Sequence, residues 1–204
     1  MNYADIKDVD IQDGIGVRTA LYVSGCTIHC KGCHNKVAWD FNYGSTFDEA
    51  AKNRIFKNLS NSYIEGLSIL GGEPFELMNQ SELSLLVQEV RENFPEKSIW
   101  VWTGYQFDQK ILFGDYLKYN FTKKFVDNID IVVDGQFVEE KKMIDLKYRG
   151  SYNQRMIDVQ SSIIKNEIVQ LAFGDEGRYS KLLNVDNSII SSEKSLKTIY
   201  HTIK

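Results

Sequence analysis

All three cysteines of this 204-residue chain, Cys26, Cys30 and Cys33, fall within eight consecutive positions in the spacing C-x3-C-x2-C. None remains elsewhere to pair with them across the fold, so a disulfide framework is ruled out. Thiolates held a few residues apart can turn toward one centre, which points to metal ligation or redox chemistry in a reducing compartment. Three readings of the cluster compete. Small buried hydrophobes fit poorly, because Gly25, Thr27, His29, Lys31, Gly32, His34 and Asn35 surround the cysteines with polar and flexible residues. A structural zinc, the core of a non-catalytic interaction module, would take His29 or His34 as fourth ligand. Such sites usually draw on two separated knuckles, and here there is one. A 4Fe-4S cluster with three protein thiolates leaves one iron without a side-chain ligand, since fully ligated clusters take four cysteines. A vacant coordination position is where a substrate or cofactor can bind.

Composition narrows the partners. With 24 basic and 28 acidic side chains the formal charge is -4, and no dense Lys/Arg block offers a footprint for nucleic acid or for an anionic membrane. The amino terminus mixes charges from its first residues and lacks a signal-peptide profile. No apolar run approaches the roughly 18 to 20 residues needed to span a bilayer. These features predict a cytoplasmic protein. At roughly 150 residues per domain, the length allows one domain plus an elaboration.

Periodicity predicts alternating strands and helices. Val17 to Ser24 reads as a strand running into the cysteine loop. A helix is expected from Thr46, where Thr46-Phe-Asp-Glu49 fits a capping box, to about Leu59. Leu67 to Leu70 is a short strand ending at Gly71. Asn79-Gln-Ser-Glu82 offers a second capping box ahead of a helix carrying Leu83, Leu86, Val87 and Val90. Ser98 to Thr103 is a strand, with Trp100 and Trp102 as filling for the core or barrel, and Phe107 to Lys118 is the next helix. Ile129 to Val133 is a further strand. In the tail, Ile168 to Phe173 is a candidate strand and Ser192 to Ile203 a helix, with His201 on its surface.

Repeated strand-helix units imply an α/β fold with a parallel sheet and right-handed crossovers. Functional loops should then lie at the carboxyl ends of the strands. The cysteine loop, Gly71-Gly72-Glu73-Pro74, Thr103-Gly104-Tyr105 and Asp134-Gly135 all occupy that edge. Too few strands are present for a closed eight-stranded barrel of about 250 residues, so the expectation is an open partial (β/α) barrel. Residues 1–159 form its domain, and 160–204 an extension packed on it.

The cysteine spacing followed by Gly71-Gly72-Glu73-Pro74 resembles the radical S-adenosylmethionine (SAM) enzymes. Glycines let a backbone approach a ligand closely, and a neighbouring carboxylate suits an ammonium donor. Further blocks are narrower: Asp13-Gly-Ile-Gly-Val-Arg18, Cys30-Lys-Gly-Cys33-His-Asn35, Trp100-Val-Trp-Thr-Gly-Tyr105, Asp134-Gly-Gln-Phe137, and Arg149-Gly-Ser151 with Asn153-Gln154. Together they resemble, over residues 1–159, the activating proteins of anaerobic ribonucleoside-triphosphate reductases. Ile15 stands where that family commonly has Pro, and His34 where it has an aromatic. Gly32, where many radical SAM enzymes carry an aromatic, favours the reductase-activating branch. The tail beyond Gln160 exceeds the family's usual length.

The resemblance implies an oxidoreductase that cleaves SAM with a reduced 4Fe-4S cluster and generates a glycyl radical on the large subunit of the anaerobic reductase. A flavodoxin-type protein would supply the electron. Carried onto this chain, Cys26, Cys30 and Cys33 hold the cluster, while Gly32, Cys33 and His34 line SAM through the loop backbone. Gly71, Gly72 and Glu73 hold its amino end, with a solvated turn carboxylate as the other reading of Glu73, and Thr103 either touches its ribose or carboxylate or only ends a strand. Asp134 and Arg149 either shape the rim facing the reductase or form ion pairs within the protein. A radical SAM enzyme acting on a small molecule, like the one that builds 7-carboxy-7-deazaguanine, is the alternative.

Overall fold

The computed structural model describes residues 1–171. Eight strands form one sheet: β1 (Asn2–Asp10), β2 (Arg18–Val23), β3 (Ser45–Thr46), β4 (Gly66–Gly71), β5 (Ser98–Trp102), β6 (Ile131–Asp134), β7 (Arg155–Asp158) and β8 (Val169–Gln170). Their order is β3-β1-β2-β4-β5-β6-β7-β8. Among the described residues four α-helices accompany them, α1 (Glu49–Leu59), α2 (Leu77–Asn93), α3 (Asn120–Asn128) and α4 (Val159–Lys165).

The α/β class holds, but the sheet is mixed. The four central strands β2, β4, β5 and β6 run parallel. The outer strands β1, β3, β7 and β8 are each antiparallel to their neighbours. Connection length explains the first reversal, because the seven residues between β1 and β2 are too few for a parallel crossover. β1 was not expected from the sequence. Its Ile6 is buried while Asp5, Lys7 and Asp8 face water, so the strand reads as a polar segment.

The hydrophobic core lies between the sheet and its helices. Leu21, Val23, Ile69 and Val101 from the strands meet Ile55, Leu83, Val87 and Phe125 from α1 to α3, all of them buried. At the amino ends of the parallel strands sits Arg18, which is fully buried. Its guanidinium donates to Ser68 Oγ, Ser98 Oγ, the Leu67 carbonyl and the Ser98 carbonyl at 2.7 to 2.9 Å, lacing β2, β4 and β5 together. The Asp13-to-Arg18 block therefore serves the sheet, at the edge away from the cysteines. Trp100 is buried beside Arg18 and stacks on Trp102, as core filling should.

Both capping boxes are displaced. Thr46 lies in β3, and α1 is capped by Asp48, whose carboxylate accepts from Ala51 N at 2.9 Å. α2 begins at Leu77, and Asn79 is buried inside it. The helix expected over Phe107 to Lys118 is instead a π-turn, Phe107–Leu112, and a 3-10 turn, Asp115–Lys118, separated at Gly114. The regular helix comes later, as α3. The strand expected over Ile168 to Phe173 is β8 as far as it is described, and it pairs with β7. The helix expected over Ser192 to Ile203, with His201, lies outside the described residues.

Candidate active site

Because β2, β4, β5 and β6 are parallel, the loops after them emerge at one edge of the sheet. These are the cysteine loop, Gly71 to Pro74, Thr103 to Tyr105, and Asp134 to Phe137. Nothing local in the chain brings these four segments together.

The cysteine loop is tied down at both ends. Gly25 N donates to the Ala38 carbonyl at 2.8 Å and Cys26 N to the Trp39 carbonyl at 3.1 Å, closing the loop onto a 3-10 turn, Lys36–Trp39. Cys33 N donates to the Cys30 carbonyl at 3.1 Å, so the last two cysteines share a turn. Cys26 is buried and the other two are half-buried. Burial pushes the Cys26 thiol up to about 11, opposed by the His29 and Ile28 N–H groups that donate to its sulfur. The Cys30 thiol is also raised by burial, opposed by the Phe137 N–H and the Gln136 side chain. His29 stacks on Trp39 with ring centroids 4.4 Å apart, and His34 is exposed.

The Gly71-Gly72 loop packs directly on this one. A Cβ on Gly72 would come within 2.5 Å of the Gly25 carbonyl oxygen and 2.9 Å of that of Ala38, so only glycine permits the approach. Glu73 N then donates to the Gly25 carbonyl at 2.8 Å, and Gly72 N to that of Val23 at 2.7 Å. Gly72 thus serves loop-to-loop packing whatever else it contacts, while a Cβ on Gly71 would meet the Tyr22 backbone of β2 at 2.8 Å.

Glu73 is not a solvated turn carboxylate. It is 1% exposed. Its Oε1 accepts from Phe75 N at 2.9 Å and from Thr103 Oγ1 at 2.8 Å, and its Oε2 from Gly104 N at 2.7 Å. Burial drives its pKa up to about 7, and these three donors hold it from rising further. Thr103, itself buried, also accepts from Tyr105 N at 3.1 Å. Its hydroxyl thus has two partners within the protein and keeps one acceptor position.

Two residues at the start of α2 complete the frame, and sequence reasoning gave neither a role in the site. Glu76 Oε1 accepts from Thr27 N at 2.8 Å and from Thr27 Oγ1 at 2.6 Å, reaching into the cysteine loop. Asn79 Nδ2 donates to the Ser24 and Glu73 carbonyls at 3.0 and 3.1 Å. A buried Glu and Asn just beyond a Gly-Gly-Glu-Pro turn were the available signal, overshadowed by the apparent capping box.

Asp134 and Arg149 do not pair with each other. Asp134 is fully buried against Arg155 at 2.5 Å, and Arg155 also reaches Asp108 at 2.9 Å. Arg149 Nη1 donates to the Gln154 carbonyl at 3.3 Å, while its Nε is buried without a hydrogen-bond partner. Asp134 therefore belongs to an internal ion pair.

Known proteins bear on this arrangement. The family described as a 4Fe-4S single cluster domain matches residues 12–157. A protein of Haemophilus influenzae is 38% identical over 156 residues, covering 76% of this chain and 96% of the relative. One of Escherichia coli (strain K12) is 40% identical over 156 residues with the same coverage. One of Enterobacteria phage T4 is 38% identical over 168 residues, covering 82% of this chain and all of the relative. All three carry the name anaerobic ribonucleoside-triphosphate reductase-activating protein. The chain belongs to that family.

In this member of the reductase-activating proteins, the matched segment contains all four loops at the sheet edge. The residues present fit an iron-sulfur cluster: Cys26, Cys30 and Cys33 are free thiols carried on one loop, and a cluster of four irons takes its thiolates on separate irons. The Ile28 and His29 N–H groups at Cys26 and the Phe137 N–H at Cys30 oppose the effect of burial and so favour the thiolate forms. Among the described residues no helix is long and apolar enough to cross a membrane.

Proposed function

We propose that this protein activates an anaerobic ribonucleoside-triphosphate reductase by generating a glycyl radical on its large subunit, using SAM and a 4Fe-4S cluster held by Cys26, Cys30 and Cys33. The observation that carries the reading is the contact between the three-thiol loop and the Gly71-Gly72-Glu73 loop, joined by Glu73 N to the Gly25 carbonyl at 2.8 Å. The names of the relatives supply the partner. When bound and reduced, the cluster supplies the electron that splits the carbon-sulfur bond of SAM, giving methionine and a 5'-deoxyadenosyl radical that takes hydrogen from the glycine.

The chain's own task is positional. Three thiolates from one loop would hold the cluster and would leave one iron without a side-chain ligand, to which the amine and carboxylate of SAM would bind. Gly32, Cys33 and His34 line the ligand through their backbone, and Gly71 and Gly72 offer theirs to its amino end. Glu73 works from behind: Oε1 is filled by two protein donors, while Oε2 accepts one and keeps room for a second, so its charge lies near an ammonium without being solvated. Thr103 sets the orientation of that carboxylate. Fixing donor and acceptor in one geometry replaces an encounter in solution, and closing the edge with the reductase excludes water from a reactive intermediate. A flavodoxin-type protein is the proposed electron donor. The eight strands with four parallel at their centre are consistent with an open partial barrel whose uncovered side takes the reductase, and the tail beyond residue 159 is its extension.

The test is to mix the anaerobically reduced protein, SAM and an anaerobic reductase and to record the electron paramagnetic resonance spectrum. A glycyl-radical doublet on the reductase is expected. Release of 5'-deoxyadenosine without that doublet would overturn the assignment in favour of a small-molecule substrate. Purification with stoichiometric zinc and no iron or sulfide would overturn the cluster.

A further inference from the structure

The loop after β5 carries a residue beyond Thr103 and Gly104 to which the proposed function gives no task. Tyr105 donates its hydroxyl hydrogen to Glu76 Oε1 at 3.2 Å, and its oxygen lies 3.4 Å from Thr27 Oγ1 of the cysteine loop. One residue earlier, Gly104 N donates to Glu73, and a Cβ on Gly104 would come within 2.6 Å of Ile28. The phenol is therefore held between the cysteine loop and the Gly-Gly-Glu loop, the two segments that the proposed function gives to SAM. From there a row of rings leads away. The centroids of Tyr105 and Tyr116 are 5.8 Å apart, and those of Tyr116 and Tyr119 6.5 Å. Tyr119 is half-buried under the exposed Lys118, whose Nζ lies 5.4 Å from its centroid. The chain between these rings is the π-turn and 3-10 turn that stand in place of the expected helix. Turns of the π kind are rare and occur often at functional sites.

Packing alone would be met by phenylalanine, as it is where Phe75 meets Phe107 and Phe125 in the core. A phenol adds a hydrogen that a carbon-centred radical can take, because its O–H bond is weaker than the methyl C–H bond formed in exchange. Phenols this close together also pass an electron readily from ring to ring. Each hop moves one electron toward the site and is matched by one proton, taken up by the phenoxyl that is reduced and released by the phenol that is oxidised. The phenoxyls are therefore neutral. Lys110, whose Nζ lies 5.9 Å from the Tyr105 centroid and 4.6 Å from that of Tyr116, does not oppose their formation. The other aromatic run beside the site, Trp102 and Trp100, has no hydroxyl and leads to the buried end of the sheet at Arg18.

We propose that Tyr105, Tyr116 and Tyr119 form a discharge route that protects the protein when a 5'-deoxyadenosyl radical forms and no reductase glycine is in place. The radical carbon takes the Tyr105 hydroxyl hydrogen, which gives 5'-deoxyadenosine and a Tyr105 phenoxyl. Tyr116 and then Tyr119 restore the phenol before them, one electron and one proton at a time. At Tyr119 a thiol in solution gives up a hydrogen atom, and two of the resulting thiyl radicals couple to a disulfide. The route rests on the reading of the site as one that cleaves SAM.

The experiment is SAM cleavage by the anaerobic, reduced holoprotein in heavy water containing a thiol, with no reductase present, in wild type, Tyr105→Phe, Tyr116→Phe and Tyr119→Phe. Hydroxyl hydrogens exchange with the solvent and carbon-bound ones do not, so the mass of 5'-deoxyadenosine reports its hydrogen donor. The wild-type product should carry a single deuterium. Loss of the positioned donor should lower the deuterated fraction about tenfold in Tyr105→Phe. In Tyr116→Phe and Tyr119→Phe the product should stay deuterated, while the phenoxyl signal of freeze-quenched samples should outlast that of wild type. Deuterium-free wild-type product would overturn the proposal, as would equal deuteration in wild type and Tyr105→Phe at matched iron and sulfide content. Should Tyr105→Phe fail to hold iron, the other two variants decide, and phenoxyl lifetimes equal to that of wild type in both would overturn the route. No 5'-deoxyadenosine from wild type at full iron content would overturn the SAM-cleaving reading and the route with it, an outcome seen before any deuterium is counted.

Discussion

The Glu73 carboxylate accepts the Thr103 hydroxyl at 2.8 Å, and through this bond the loop after β4 and the loop after β5 become one surface. Gly104 N donates to the other oxygen at 2.7 Å. A carboxylate so buried costs several kcal/mol unless donors surround it. Its retention therefore marks a frame whose geometry matters.

Thr103→Val removes one donor from that buried carboxylate and deprives Tyr105 N of its acceptor. Unfolding by urea should show a loss of about 1 to 3 kcal/mol, and Thr103→Ser should recover most of it. An unchanged midpoint in the valine variant would contradict the bracing role.

Glu73 also makes stability depend on pH. Its folded pKa of about 7 lies above the usual carboxylate value, because burial disfavours the charged form. The folded state therefore binds the proton more tightly than the unfolded state, and this contribution is full below about pH 4.5 and is lost as pH rises through about 7. The swing is on the order of 3 kcal/mol at most. Denaturant midpoints across that window should fall with pH more steeply in wild type than in Glu73→Gln, whose side chain does not titrate. Parallel profiles would count against the shift.

Glu76→Ala cuts both bonds to Thr27 and removes this brace on the cysteine loop. The fold should survive, since the core cluster is untouched. Groups that hold metal ligands in place typically account for about 10- to 100-fold in metal affinity. Iron and sulfide per protein after a chelator challenge should drop accordingly, with circular dichroism unchanged.

Arg155→Met leaves Asp134 fully buried without its guanidinium partner. Breaking a buried pair from one side costs about 3 to 5 kcal/mol. Thermal unfolding should show the loss. Arg149→Met should cost far less, because Arg149 forms no ion pair with Asp134.

Cys30→Ala should leave the chain folded and unable to cleave SAM, as measured by 5'-deoxyadenosine release under reducing conditions. Retained cleavage would contradict its assignment.

Much of the site was legible because its chemistry is carried by residues close in sequence. Three thiols in eight positions rule out a disulfide framework and point to metal ligation or redox chemistry in any fold that leaves them accessible. Strand periods of two and helix periods near 3.6 placed β2, β4, β5, β6 and the body of α2. Where several local signals competed, the tertiary environment chose. Asp48 rather than Thr46 caps α1, because Thr46 pairs with β1. Asn79 enters α2 as an interior residue, because its amide is needed at the Ser24 and Glu73 carbonyls.

From the sequence alone come the α/β class, the three thiols, the Gly-Gly turn and the ordering of these motifs at strand ends, since each depends on neighbours within a few residues. Only the folded chain decides that the outer strands turn antiparallel, that Asp134 is matched by Arg155 and not Arg149, and that Glu73 faces Thr103 rather than water. Those outcomes join residues 21 to 30 positions apart, or depend on which strand edge remains open. Side-chain reach across the sheet sets them, and no local pattern in the chain encodes that distance.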